Sequence, residues 1–222
     1  MVERGRNISY IKLVIIQGKA YIKKYEDSFQ TRDVFTVWGI LQLLRLYPGK
    51  IPDLELLFET GDRAVVDKQH FRESPPPVFH YCGQKNAYDI VFPDWSFWGW
   101  AELTIKPWEA LLQKINEGKK KIKWKDRLPY AFWKGNTCVS LTRYDLLRCN
   151  TSDQYAHIYP LAEAIGKPGR NFIKENLKMK FVYDYMFHVL SEYARLLRFE
   201  PIILEGAVEI CSENLVCPKN DL

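Results

Sequence analysis

Two runs of apolar, largely β-branched residues, Ile11-Lys12-Leu13-Val14-Ile15-Ile16 and Ala20-Tyr21-Ile22, flank Gln17-Gly18-Lys19. Short apolar runs around a glycine turn read as a β-hairpin. The period then changes: Val34-Phe35, Trp38, Ile40-Leu41 and Leu43-Leu44 recur at helical spacing, with Thr31-Arg32-Asp33 as a start signal and Pro48-Gly49 as a stop. Asp53-Leu54-Glu55-Leu56-Leu57-Phe58 predicts a short strand that gives way to Thr60-Gly61-Asp62-Arg63. Pro75-Pro76-Pro77 introduces Val78-Phe79-His80-Tyr81, and Tyr88 to Phe92 predicts a further strand closed by Pro93. Strands alternating with helices imply a layered α/β architecture. Open sheets of that kind build their sites beyond the carboxyl ends of the strands, which is where Asp62 falls.

Pro107 opens a helix through Trp108, Leu111-Leu112 and Ile115, since proline suits a first turn whose amides lack intrahelical partners. Tyr130 to Trp133 predicts a strand, Lys134-Gly135-Asn136 a small loop, and Leu141 to Leu147 a helix; strand, glycine turn and helix start form a geometry that receives phosphate. From Leu161 the pattern is helical, in one run through Phe172-Ile173 and Leu177 and a second through Phe181, Tyr185-Met186, Val189-Leu190, Tyr193 and Leu197. Pro201 ends it, and Ile202 to Leu222 reads as an irregular tail.

Of the 222 residues, 47% are hydrophobic and 14% aromatic, which supports a packed core and excludes a disordered chain. The net charge of +5 is mild and favours anionic ligands without singling out nucleic acid. The densest basic run, Lys119 to Lys125 with Trp124 inside it, reads as a solvated helix end, because lysines gather at helix carboxyl termini; no nucleic-acid motif accompanies it. No segment is long and apolar enough to cross a bilayer, and no apolar run follows Met1-Val2-Glu3-Arg4 as a secretory leader would require, so the chain as written is expected in the cytosol. Cys82, Cys138, Cys149, Cys211 and Cys217 form no Cys-x-x-Cys pair, which argues against zinc; they are either ordinary buried thiols or a secretory disulfide framework lacking one member. Asn7-Ile8-Ser9 and Asn150-Thr151-Ser152 are glycosylation acceptor patterns.

The block Asp89-Ile90-Val91-Phe92-Pro93-Asp94-Trp95-Ser96-Phe97-Trp98-Gly99-Trp100-Ala101-Glu102 resembles the signature of the Rumi-type protein O-glucosyltransferases and their fungal capsule-associated relatives, in a form similar to plant members. The resemblance extends through Gly61-Asp62-Arg63, Ile105-Lys106-Pro107-Trp108, Trp124-Lys125-Asp126-Arg127, Trp133-Lys134-Gly135-Asn136 and Phe181-Val182-Tyr183-Asp184-Tyr185-Met186-Phe187-His188. It implies a GT-B-type enzyme with two facing Rossmann-like domains, moving glucose or xylose from a UDP-sugar to a protein or glycan hydroxyl with inversion. It further implies no metal cofactor, in keeping with a sequence that has no Asp-x-Asp for holding a cation against a diphosphate.

By the same resemblance Asp62 is the catalytic base, Arg143 contacts the donor diphosphate, and Gly135 and Asn136 form the loop that approaches it. Read without the family, Asp62 caps a turn or pairs with Arg63, and Arg143 is a solvent-exposed helical residue. Of the aromatic cluster, Trp95 alone is assigned as an acceptor or sugar contact, the other rings being expected in the core. The resemblance divides the chain into an acceptor-side Rossmann-like domain at 1–128 and a truncated, mostly helical donor-side domain at 129–222. The stretch after Arg143 is shorter than the roughly 100 residues a second such domain takes. Where family members carry several strands and a nucleotide-sugar segment, Gln154 to Pro160 passes almost directly into Leu161 to Gly166. Two functions are therefore open: a UDP-sugar transferase of the endoplasmic reticulum or Golgi lumen, or an inactive remnant that binds an acceptor or partner. The terminal helices are expected to dock onto the remaining domain, or the chain to be poorly stable alone.

Overall fold

The computed structural model describes residues 2–127, 136, 138, 141–145 and 158–211. Two compact units emerge, Met1–Leu112 with Met179–Leu222, and Gln113–Lys178. The first holds a six-stranded mixed sheet in the order β5-β4-β3-β1-β2-β6, so the protein is α/β.

β1 (Ile11–Ile16) and β2 (Lys19–Lys24) pair antiparallel through the turn read from the sequence, with Ile16 opposite Lys19. Gln17 and Gly18 have φ of 51° and 73°, so both central residues are left-handed, as a tight hairpin requires. Next comes α1 (Arg32–Leu46), which carries the chain across the hairpin to β3 (Leu54–Glu59), antiparallel to β1. β4 (Val78–His80) and β5 (Ile90–Val91) then extend the sheet in parallel with β3. β5 is shorter than the predicted Tyr88 to Phe92 because Asp89 turns aside, its carboxylate accepting from the amides of Val65 and Val66 at 2.9 Å each.

Alternation along the strands makes the two faces of the sheet unlike. One presents Ile11, Leu13, Ile15, Leu54, Leu56, Phe58 and Phe79, all essentially inaccessible, to α1 and to α5 (Met179–Leu196). The other presents Lys12 and Glu55, paired at 2.8 Å, together with Leu57, Val78, Glu59 and His80. Each fully buried aliphatic or aromatic side chain contributes about 1.5–3 kcal/mol, so the first face dominates stability.

α5 brings Met186 and Leu190, both 0% exposed, onto that face. The Tyr193 hydroxyl donates to the Glu55 carbonyl at 3.0 Å, and its ring meets Phe79 edge-on. The last helix thus docks on the sheet, as expected of a terminal helix in search of an apolar surface. The compact units do not follow the division at 128/129, because α5 returns to the sheet that the first half of the chain builds.

The reading of Ile202 to Leu222 as irregular is corrected at β6 (Val208–Ile210), which adds antiparallel to β2 with a Lys19–Glu209 ion pair at 3.2 Å. Three residues carry no period, and what recruits them is the unpaired backbone edge of β2.

The second unit comprises the end of α2 (Trp108–Lys121), α3 (Leu141–Asp145) and α4 (Ile158–Asn176). Lys119, Lys120 and Lys121 close α2 as an exposed basic last turn. Residual desolvation, and then the repulsive field of Arg170, Lys174 and Arg127, lower the Lys119 pKa. The strand predicted at Tyr130 to Trp133, the loop residue Gly135 and the helical end Leu146-Leu147 lie outside the described residues.

Candidate active site

The register of the sheet gathers one edge of it into a site. Because β1 runs opposite to β3, the carboxyl ends of β2, β3, β4 and β5 and the start of α1 all reach the same edge. From β3 come Thr60, Gly61 and Asp62; from β4, Tyr81 and Cys82; from β5, Asp94 and Trp95.

Asp62 is open to solvent, its side chain 79% exposed, yet it is anchored. Arg32, the first residue of α1 and 5% exposed in its side chain, donates from Nη1 to Asp62 Oδ1 at 2.9 Å and to the Thr60 carbonyl at 3.0 Å. The guanidinium lies 4.3 Å from the centre of the Trp95 ring and 5.1 Å from that of Phe29, so it is sandwiched as well as hydrogen-bonded. Stacking on aromatic faces and a planar fork of donors are what arginine offers and lysine does not. Asp62 therefore pairs with Arg32 and not with its neighbour Arg63.

Arg32 was not singled out from the sequence, although a signal was present. It continues the buried stripe of α1 through Thr36, Gly39-Ile40 and Leu43, so a charge sits on the apolar face. Thr31 is the cap position of α1 but makes no side-chain cap; its amide and hydroxyl both bond the Glu102 carboxylate at 2.9 Å, tying the loop before α1 to the loop after β5. Trp100 Nε1 donates to Gln30 at 2.8 Å across the same gap.

Trp95 is only 6% exposed, packed edge-on against Tyr81 and Trp100 beneath the Arg32 guanidinium. Its ring is a floor for the Arg32 guanidinium. Asp94 caps the following turn, accepting from the Ser96 amide at 2.9 Å. The Cys82 thiol is pushed above its ordinary value by burial and then by the carboxylates of Asp94, Asp62 and Glu59, against the opposing Arg32 charge, which registers how acidic this edge is. Below it, Glu59 and His80 form a buried pair at 2.6 Å. Burial opposes protonation of His80, but Glu59, the Cys82 backbone and Asp89 outweigh it and hold the imidazole above its ordinary value.

Asn136 and Arg143 belong to the second unit, and both are exposed. Asn136 Oδ1 accepts from the Cys138 amide at 2.9 Å, and Arg143 lies in the last turn of α3. Among the described residues no group of three His, Cys, Asp or Glu side chains is placed to hold a metal. A cavity of about 660 Å³ lined by Trp38, Gln42, Trp98, Trp108 and Tyr183 opens beside the carboxyl-terminal half of α1. Asp62 is not among its walls, so the cavity is set apart from the anchored carboxylate.

Open α/β sheets bind ligands beyond the carboxyl ends of their strands, which is where this exposed carboxylate is fixed. The profile of glycosyl transferase family 90 matches residues 1–161 and 154–222, and the chain belongs to that family. It is 25% identical over 104 residues to "O-glucosyltransferase rumi" of Drosophila melanogaster, covering 44% of this chain and 25% of that protein. It is 25% identical over 142 residues to the "O-glucosyltransferase rumi homolog" of Aedes aegypti (61% and 34%), and 26% identical over 150 residues to "Protein O-glucosyltransferase 2" of Danio rerio (67% and 29%). The matches span between a quarter and about a third of the length of these relatives.

Proposed function

We propose that this chain carries the acceptor half of a UDP-sugar-dependent O-glycosyltransferase, with Asp62 as general base. The acceptor hydroxyl oxygen attacks the anomeric carbon of glucose or xylose as the bond to UDP breaks, and its proton passes to Asp62. Arg32 holds Oδ1 of a side chain that is 79% exposed, and Oδ2 is assigned to take that proton. Attack on the face opposite the leaving group inverts the anomeric carbon. The charge left on UDP is assigned to Arg143 and the loop bearing Gly135 and Asn136, with no divalent ion required. Trp95 acts in this scheme through Arg32. The observation that carries the reading is the exposed carboxylate fixed by a buried arginine at the carboxyl edge of the sheet.

A luminal compartment fits the same reading. Cys211 is disulfide-bonded, and disulfides persist chiefly in oxidising compartments. Among the described residues no helix is long and apolar enough to cross a membrane. The test is product stereochemistry: from a UDP-α-sugar, NMR of the product should show a β-linkage, and an α-linkage would exclude single displacement with Asp62 as base.

A second reading, an inactive remnant that binds acceptor or partner alone, has one observation in its favour. The family match falls into two stretches that meet at 154–161, where the sequence passes abruptly into its terminal helices. Calorimetric titration separates the readings: UDP binding abolished by Arg143→Ala supports the transferase, and a folded chain without UDP affinity supports the remnant.

A further inference from the structure

The transfer chemistry uses Asp62 and Arg32 and leaves aside the ion pair beneath them. Glu59 and His80 are the last residues of β3 and β4 and are register partners, with side chains 6% and 0% exposed. Dehydrating two such groups costs several kcal/mol per ion, and well-packed apolar residues of similar volume are often as stable or more so. Packing therefore does not account for a charged pair here, whereas its outer bonds do. Glu59 Oε1 accepts from the Gly61 amide at 2.8 Å, one residue before Asp62. A Cβ on Gly61 would stand 2.8 Å from that same oxygen, so the turn is drawn down onto the carboxylate. On the other strand, His80 Nδ1 lies 3.0 Å from the Cys82 carbonyl oxygen, to which it donates when the ring is protonated, and 2.9 Å from the Cys82 amide nitrogen, from which it accepts when the ring is neutral, so the turn is held in either state.

We propose that Glu59 and His80 are a positioning couple for the candidate base, locking the turn at residues 60–62 to the turn at 81–83 and so fixing where the Asp62 carboxylate stands. The couple touches no substrate. Arg32 grips the same turn at the Thr60 carbonyl, so the peptide backbone before Asp62 is held from the α1 side and from within the sheet. The catalytic consequence rests on the reading of Asp62 as base, and the structural consequence rests on geometry alone.

The experiment replaces the couple in the full chain by Glu59→Leu with His80→Leu and reads stability, amide exchange and rate together. The expected result is an unchanged or raised midpoint of urea unfolding, exchange at the Gly61 and Cys82 amides faster by about tenfold or more, and kcat lower by about 10²-fold with the donor KM unchanged. Gly61→Ala is the second variant, since it presses on Glu59 without removing it. It should quicken exchange at Cys82, on the other strand, which a local disturbance of one turn would not do. Unchanged exchange at Gly61 and Cys82 in these variants overturns the couple whatever the activity. Faster exchange with full kcat overturns its positioning role. Faster exchange in a chain whose wild type has no turnover upholds the couple and removes the assignment of Asp62 as base.

Discussion

Leu190→Ala tests whether α5 is part of the fold or an appendage. Leu190 is 0% exposed and lies in the cluster that contains Phe79, Met186 and Tyr193. Truncation removes three carbons, worth roughly 2.4 kcal/mol at about 0.8 kcal/mol for each buried group. The cavity term brings the expected loss to about 3–4 kcal/mol, inside the range of about 2–5 kcal/mol seen for such changes. Against a total stability of roughly 5–15 kcal/mol, that is a large fraction. Leu196 on the same helix is 77% exposed, so Leu196→Ala supplies the control at about 0.5 kcal/mol or less. Urea unfolding followed by tryptophan fluorescence reads both, because Trp95 and Trp98 are buried in the same core. A Leu190→Ala loss no larger than that of Leu196→Ala would refute the docking of α5.

Further consequences are open to the same methods. A Cβ on Gly39 would stand 2.4 Å from the Trp98 ring, so Gly39→Ala should destabilise by about 1–3 kcal/mol through overpacking, and a neutral result in urea would contradict the contact between α1 and Trp98. His80 is held above its ordinary value of 6.5, so its protonated form favours the fold. That contribution is complete below pH 6.5 and is lost as pH rises through the higher folded value. The urea midpoint should accordingly fall with rising pH across that window in the wild type and lose this component in the Glu59→Leu/His80→Leu variant; an identical slope in both would remove His80 as the source. Arg32→Lys keeps the charge but loses the fork and the stacking, and should lower transfer by about tenfold or more with the fold retained. Equal transfer by the lysine variant would show that charge alone holds Asp62.

Much of the sheet was legible because its signals are local. The apolar runs around Gln17-Gly18, the strand at Leu54 to Phe58 and the helical stripe from Val34 to Leu44 each declare their period within a dozen residues. β6 was not legible, since three residues joining an open edge have no pattern of their own. Asp62 was placed by the strand that precedes it and given a role only by family resemblance. Its anchor was missed because the Arg32–Asp62 contact joins residues thirty apart through the topology of α1 and β3. The place of the Trp95 ring under Arg32 was not legible either, because it joins a loop after β5 to the start of α1. Glu59 and His80 stand opposite one another only because β3 and β4 pair in parallel with that register, which no local pattern expresses.

The most direct measurement is the rate of sugar transfer from UDP-glucose and UDP-xylose to glycoprotein acceptors by the wild-type chain and by Asp62→Asn at equal folded concentration. Asparagine keeps the shape and an oxygen for Arg32 but takes no proton, so the rate should fall by about 10²–10⁴-fold with UDP affinity unchanged. Equal rates from the two chains, or no transfer by a folded wild type, would contradict the assignment of Asp62 as the base of an active transferase.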